Sequence, residues 1–380
     1  MNYPKVDFLY LNEQDMIAAG VKDMARCIDT MEEMFRLLKA GDYRMGGANG
    51  NSHGCMMEFP KESPFPNMPV DGPDRRFMAM PAYLGGKFYM AGVKWYGSNM
   101  ENKKKGLPRS ILMLTLNDKD TGAPLAYMSA NILSAYRTGA VPGVGIKHFA
   151  HPDSSAIGII GPGVMSKTIL AAAMAVRPGI KTIKIKGSSP SSKSAKEFAR
   201  FTEETYPSIS NIEIVGTEEE AVRDCDIICI ATSSPTGNIE DYPYIKESWI
   251  KPGALFCCPA AARFDDDFIL HRARTIADNT MLYEAWEEEM DFPAYETIPI
   301  PAVHCMDLIT EGRMKASQID DLGDILTGKI PTHRKDNEII VYSIGGMPVE
   351  DVAWGTVVYK NALKQGIGTR LNLWDQPALA

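Results

Sequence analysis

Residues 155–187, SAIGIIGPGVMSKTILAAAMAVRPGIKTIKIKG, constrain this chain more than any other stretch. Ala156 to Ile160 is a short apolar, β-branched run that reads as a buried parallel strand. Gly161-Pro162-Gly163 breaks it, Ser166 to Val176 is an Ala-rich helix, and Thr182 to Ile185 is the next strand. Strand, glycine turn, helix and strand within about thirty residues make one βαβ unit, the size of a dinucleotide-binding half-fold. Glycine at 161 allows the sharp strand-to-helix reversal, and glycine at 163 lets backbone N–H groups approach a pyrophosphate on the positive end of the helix. The expected contacts are Gly161, Pro162, Gly163, Val164 and Met165. The motif is GxGxxS, with Ser166 where a third glycine is often found. An ordinary glycine turn could carry the same triplet; its place after a strand and before a helix favours a coenzyme.

The end of the second strand discriminates between coenzymes. An acid there would accept hydrogen bonds from the adenosine ribose and repel a 2′-phosphate; this chain has Lys186-Gly187-Ser188-Ser189-Pro190-Ser191-Ser192-Lys193 instead. Hydroxyls at Ser188 and Ser189 and the ammonium of Lys193 suit a phosphate, so NADP(H) is preferred and NAD(H) possible. The alternative is a solvated Ser-rich loop before a helix capped by Ser192 or Ser194. Further on, Asp226 to Thr232 reads as a fully buried strand, and Thr232 and Ser233 at its carboxyl end should face the nicotinamide.

At 380 residues the chain is long for one core, so two domains are expected. A net charge of −8 leaves no surplus of Lys and Arg to neutralise phosphates, which argues against nucleic acid as a partner. The one basic run, Lys103 to Lys105, reads as a solvated loop. Seven cysteines without framework spacing fit a reducing compartment. No leader-like segment opens the chain and no apolar run reaches eighteen residues, so a cytoplasmic protein without a membrane partner is expected. The six histidines show no ligand spacing, and no metal site is expected.

Elsewhere, FLYL near the N-terminus reads as a strand and Cys27 to Lys39 as an amphipathic helix. Residues 44–76, rich in glycine and proline with little periodicity, read as a substrate-side lid or as an irregular surface insertion. Phe77 to Tyr83, Phe88 to Tyr96 and Ser110 to Leu116 read as strands, Ser129 to Ala150 as helices, and residues 284–302 as an acidic peripheral excursion. Val349 to Leu363 has helical periodicity.

Two further stretches, Ala91-Gly92-Val93-Lys94-Trp95-Tyr96 and Leu133-Ser134-Ala135-Tyr136-Arg137-Thr138-Gly139-Ala140, go beyond a generic nucleotide fold. Together with Asp120 to Leu125, Gly161-Pro162-Gly163, Leu322 to Lys329 and Ser343 through Asp351, their order and spacing resemble the ornithine cyclodeaminase and mu-crystallin family from about residue 77 to 366. The resemblance implies an α/β architecture in which a Rossmann dinucleotide domain (131–345) is inserted between the two halves of an α+β substrate and dimerisation domain (1–130 and 346–380). It implies a homodimer acting on a small amino or imino acid. By position, Lys94 and Arg137 look like the catalytic pair that binds the substrate carboxylate, and Thr138 like a pyrophosphate contact. One of Arg75, Arg76 and His53 would complete the anion site, with Arg76 preferred.

Chemistry supports those assignments independently. A 2-imino acid needs its carboxylate held bidentately, for which Arg supplies a planar fork, and a desolvated lysine beside an arginine has a lowered pKa suited to protonating the imine nitrogen. The structural alternative is that Lys94 ends a strand at the surface and Arg137 pairs with a carboxylate. Near Cys257 to Arg263 the chain departs from the family: true cyclodeaminases look as if they need an aspartate where Ala262 stands, although Asp265 to Asp267 follow closely. The reading is therefore an NAD(P)H-dependent amino-acid dehydrogenase or imine reductase, with ornithine cyclodeamination and coenzyme binding without turnover as alternatives.

Overall fold

Two kinds of strand pattern give two kinds of sheet. In Arg76–Leu84, RFMAMPAYL, buried residues alternate with partly exposed ones, as in a sheet covered on one face. Ile227–Ile230 and Leu255–Cys258, IICI and LFCC, are buried at every position, as in a parallel sheet covered on both faces. The computed structural model describes residues 4–232, 238–332 and 335–379.

Along the chain the elements are β1 (Val6–Leu11), α1 (Glu13–Ala18), α2 (Met24–Ala40), β2 (Tyr43–Met45), β3 (Cys55–Glu58), β4 (Arg76–Leu84), β5 (Met90–Ser98), β6 (Ser110–Asn117), β7 (Pro124–Ser129) and α3 (Asn131–Phe149). There follow β8 (Ala156–Ile160), α4 (Val164–Val176), β9 (Thr182–Lys186), α5 (Lys193–Thr205), β10 (Asn211–Val215), α6 (Glu218–Val222), β11 (Ile227–Ile230), β12 (Tyr244–Ile245) and β13 (Leu255–Cys258). The remainder is β14 (Arg263–Phe264), α7 (Asp266–His271), β15 (Ala273–Ala277), α8 (Thr280–Glu289), α9 (Pro301–Thr310), β16 (Ile319–Asp321), α10 (Leu322–Leu326), β17 (Ile339–Ser343), α11 (Pro348–Gln365) and β18 (Thr369–Trp374).

Two compact units result. The first comprises residues 1–23, 40–137 and 347–380; the second comprises residues 24–39 and 138–346. The division falls inside α3, after Arg137 rather than after residue 130. It also groups α2 with the second unit, because Glu32 pairs with Lys147 and Lys39 with Asp324 there.

The first unit is a mixed sheet in the order β18-β1-β7-β6-β5-β4-β2, with β3 also on β4. Its buried face receives α11, which packs on β4, β5 and β6. Helix α11 begins with Pro348 at its first turn and ends at Gly366 in the left-handed conformation. Trp354, fully buried, anchors it through Nε1–H donated to the Val21 carbonyl at 3.1 Å, and burial of that ring contributes about 3 kcal/mol. Residues 44–76, expected to be irregular, add the short strands β2 and β3 to β4. The basic run at 103–105 forms a short 3-10 helix, Met100–Lys105, with its lysines in the exposed last turn.

The second unit is an eight-stranded, wholly parallel sheet in the order β10-β9-β8-β11-β13-β17-β15-β16, the doubly wound Rossmann arrangement. Strand order reverses between β8 and β11, the crevice where such sheets bind ligands. Residues 284–302 are not peripheral: Trp286, Ala294 and Tyr295 are buried, and in α8 the buried Tyr283 and Trp286 lie on a different face from the exposed Glu288 and Glu289. Among the described residues no helix is long and apolar enough to cross a membrane.

Candidate active site

In the second unit the turn after β8 takes the form expected of a diphosphate cradle. Gly161 has φ +89°, and a Cβ there would lie 2.8 Å from the backbone of Ala231 and Thr232, so only glycine fits. Ser166 Oγ donates to the Gly161 carbonyl at 2.6 Å, which gives the serine of GxGxxS a structural task that a third glycine could not perform. At Gly163 the opposite holds: a Cβ would meet nothing within 4 Å. That open space lies at the start of α4, where the first N–H groups have no intrahelical partner. Val164, a large apolar residue, is 70% exposed there. Thr232 Oγ1, beside Gly161, is buried without a hydrogen-bond partner among the described residues. An open cradle, a helix start, an exposed valine and an orphaned hydroxyl all fit a bound dinucleotide.

Around the second strand, Ser188 is exposed, Ser189 Oγ lies 3.2 Å from Ser191 Oγ, and Ser192 caps α5 by accepting from the Ala195 N–H. Lys186 is held by Glu218. Lys193 is 90% exposed and 3.7 Å from Glu197, and with Lys196 and Arg200 it borders a shallow depression at the start of α5. Thr138 is half-buried in α3. Ser233 lies outside the described residues.

In the first unit, Lys94 and Arg137 come together, but not alone. Alternation along β5 turns Lys94 to the face covered by α11, where it is 2% exposed. Its Nζ donates to Asp351 Oδ2 at 2.8 Å and to Ser134 Oγ at 3.4 Å, and lies 5.6 Å from the centre of the Tyr96 ring. Arg137, 5% exposed, grips Asp351 with both Nε and Nη2 at 3.1 Å and donates from Nη1 to Glu350 Oε2 at 2.5 Å. Glu350 and Asp351 are themselves fully buried. The two cations and two anions sum to zero.

Electrostatics follow from that packing. Burial, reinforced by the charge of Arg137, lowers the Lys94 pKa to about 8 against the pull of Asp351 and Glu350. For Arg137 burial works the same way but is outweighed by Asp351 and Glu350, which hold it above its ordinary value. A lysine that gains or loses its proton near neutrality is a group suited to general acid–base work.

Two expectations change. Arg137 does not present an open fork: its fork is engaged by the protein's own carboxylates, as in the structural alternative, although Lys94 is buried rather than at the surface. Arg76 points to the same face of the sheet as Lys94 but four cross-strand pairs away, and its guanidinium pairs with Asp74 at 2.5 Å, so it is not part of the four-charge cluster. Ala262 is buried, its carbonyl accepting from the Tyr295 hydroxyl at 2.6 Å. The nearby acids are engaged elsewhere, Asp265 with the Tyr244 hydroxyl and Asp266 with His304 and Arg313.

Sequence reasoning gave Glu350 and Asp351 no role. The signal was available: two adjacent acids in the first turn of PVEDVAWGTVV, an apolar segment that had to be buried and whose acids therefore needed cations. Among the described residues no group of three or more His, Cys, Asp or Glu is arranged to hold a metal ion.

A Rossmann domain with an open phosphate cradle, joined in one chain to a sheet carrying a buried lysine, defines a class of dinucleotide-dependent proteins. The family can be named as well. Residues 20–366 match the model of the ornithine cyclodeaminase/mu-crystallin family, and the chain belongs to it. It is 25% identical to N-((2S)-2-amino-2-carboxyethyl)-L-glutamate dehydrogenase of Staphylococcus aureus, over 97% of this chain and 99% of that one. Among solved structures it is similar to an archaeal alanine dehydrogenase dimer with bound NAD (TM-score 0.75, 25% identity, 97% and 100% of the two chains). It is equally similar to Thermococcus litoralis Delta(1)-pyrroline-2-carboxylate reductase in complex with NADH and L-proline (TM-score 0.75, 25% identity, 95% and 99%).

Proposed function

We propose that this protein is an NAD(P)H-dependent oxidoreductase that reduces a 2-imino acid to the 2-amino acid, or runs the reverse oxidation. The observation that carries this reading is the buried Lys94, poised near neutrality in a charge-balanced cluster within a chain that also has a dinucleotide cradle. The three relatives named above support it, since each acts, by its name, on an amino or imino acid. Gly161, Pro162, Gly163, Val164, Met165, Thr138 and Thr232 would hold the coenzyme. Bound there, a reduced nicotinamide supplies the hydride.

The chain's own residues do the rest. A substrate carboxylate bound beside Lys94 adds negative charge to a cluster that is neutral beforehand and raises the Lys94 pKa above about 8. Lys94 is then protonated at neutral pH and gives that proton to the imine nitrogen, which together with the hydride added at the α-carbon makes the amine and leaves Lys94 neutral. Arg137 holds Asp351 in place and keeps the lysine's pKa from rising too far. Cyclodeamination is the weaker reading, because Ala262 offers no carboxylate and its acidic neighbours are engaged.

Three finer assignments belong to the same reading. NADP(H) is preferred, through Ser188, Ser189 and Lys193, with Lys196 and Arg200 adding positive charge. The chain forms a homodimer through the outer face of the first unit's sheet. There Met57, Trp95, Ile111, Tyr127 and Leu371 are each 37–48% exposed, and Phe77 stacks on Trp95 at 5.6 Å. The seven free cysteines, six of them buried, support a cytoplasmic location.

The test is a panel of 2-oxo acids crossed with ammonia and primary amines, together with cyclic imino acids, followed by the absorbance of NADPH and of NADH. Coenzyme oxidation on at least one pair is expected. Tight NADPH binding with no turnover across the panel would leave a binding protein. Release of ammonia from ornithine without net coenzyme change would establish the lyase.

A further inference from the structure

A half-enclosed cavity of the second unit shares no residue with the coenzyme cradle. It encloses about 280 Å³, with apolar walls from Ile239, Phe264, Pro293, Tyr295 and Leu308. That volume lies below the range of drug-sized ligands and suits one of amino-acid size. Two charged groups in its lining are left unmatched by the protein itself. Arg263, from β14, lies over the Tyr244 ring at 4.9 Å, and its hydrogen bond among the described residues runs from Nη1 to Glu240 at 2.8 Å. Glu240 is 77% exposed, so that pair contributes little. The Arg263 Nε is buried without a hydrogen-bond partner among the described residues. The edge formed by Nε and Nη2, which can grip a carboxylate bidentately, is therefore unused. Asp307, from α9, is 3% exposed, and its two oxygens take the N–H groups of Ala294 at 2.9 Å and Tyr295 at 3.0 Å. No cation pairs with it among the described residues, and about half of a carboxylate's acceptor positions stay open. The bonds it does make hold the segment bearing Tyr295 against α9, and the Tyr295 hydroxyl, donated to the Ala262 carbonyl at 2.6 Å, fixes the far end of that ring. The cavity is thus preformed.

We propose that this cavity binds a free α-amino acid as its zwitterion, with the carboxylate on the open edge of Arg263 and the ammonium on Asp307. Charge decides between ligand classes. The lining sets Arg263 and Arg313 against Asp266, Glu296, Asp307 and Glu311, a net charge of −2 with His304 counted as neutral. Asp266 is already shared by His304 and Arg313, and Glu311 is paired with Arg313. That leaves Asp307 and the exposed Glu296 as the uncompensated acids. Glu287 adds to the negative field: its Oε2 is buried without a hydrogen-bond partner among the described residues. Burial, reinforced by the charge of Asp307, holds the Glu287 pKa above its ordinary value against the hydrogen bond from Thr310. A lone anion such as phosphate would meet that field, and a lone amine would leave the Arg263 fork and its buried Nε unsatisfied. A zwitterion answers both. The apolar walls take an aliphatic or aromatic side chain, and the net charge disfavours an acidic one. The site stands apart from the functional reading of Lys94 and does not depend on it.

The experiment uses the full chain and the variants Arg263→Gln, Arg263→Lys and Asp307→Asn. Calorimetric titration gives affinity, and hydrogen–deuterium exchange read by peptide mass spectrometry gives location. The probes are leucine, phenylalanine and glutamate, with isocaproate and isoamylamine as leucine analogues that each lack one of its two charges. Leucine and phenylalanine are expected to slow exchange in the peptides that carry Arg263 and Asp307. Glutamate, isocaproate and isoamylamine should each bind at least about tenfold more weakly. Arg263→Gln should weaken leucine at least about tenfold, and Arg263→Lys, which keeps the charge and loses the fork, by less. Both should leave NADPH affinity within about twofold and Tm within about 2 °C. Asp307→Asn should also weaken leucine about tenfold; if it does not fold, the two Arg263 variants decide. Absence of protection up to about 10 mM leucine, or protection of those peptides that survives Arg263→Gln unchanged, would overturn the proposal. So would protection confined to other peptides, which would place leucine in the substrate site alone.

Discussion

Replacing Asp351 with asparagine probes the four-charge cluster most directly. The side chain keeps its shape, but Lys94 loses the anion 2.8 Å away and Arg137 keeps at most one of its two contacts at 3.1 Å, now to a neutral amide oxygen. Removing an opposite charge at that distance lowers a lysine pKa by about one to three units. Starting from about 8, a fall of about two units takes the protonated fraction at pH 7.5 from about three quarters to about three per cent, so kcat/KM for imine reduction should drop about twentyfold there. The loss should shrink as the pH is lowered, because acid restores the proton. Stability moves in a defined direction too. Lys94 has a lower pKa folded than unfolded, so the unfolded chain binds more protons between those values and stability rises with pH through that window. In the variant the window opens about two units lower, and its stability deficit, about 3–5 kcal/mol near neutrality for a broken buried pair, should narrow as the pH is raised. The assay is a pH–rate profile with thermal unfolding in the same buffers. An alkaline limb within about 0.3 units of wild type would refute both the role of Lys94 and the electrostatic reasoning.

Other expectations are independent of that cluster. Gly161→Ala should cost about 2–4 kcal/mol in unfolding titrations, because its Cβ strikes backbone at 2.8 Å and φ is +89°. Gly163→Val, whose side chain enters open space, should leave Tm nearly unchanged while coenzyme affinity falls at least about tenfold by fluorescence titration. Lys193→Glu should raise KM for NADPH about tenfold and leave KM for NADH within about twofold, a loss of selectivity of about 1.4 kcal/mol; an equal effect on both coenzymes would remove Lys193 from the phosphate site. Trp95→Glu, at 40% exposure on the outer sheet face, should convert a dimer to a monomer in light scattering, and an unchanged mass would place the interface elsewhere.

Local periodicity and turn chemistry determined much of this protein from the sequence alone. The unit from Ala156 to Lys186, the Ser192 cap of α5 and the GxGxxS turn stabilised by Ser166 depend on residues within a few positions of one another, so their patterns are complete in the sequence. So is the helical periodicity of α11. What the tertiary structure decided are the pairings between distant segments. The C-terminal strand β18 joins β1 across nearly the whole chain, and the acids at 351 and 350 neutralise cations 257 and 213 positions earlier. Lys94 and Arg137 were legible as a pair, but their partners were not, because charge balance is enforced by desolvation, and which groups are desolvated together is settled only when sheet and helix pack.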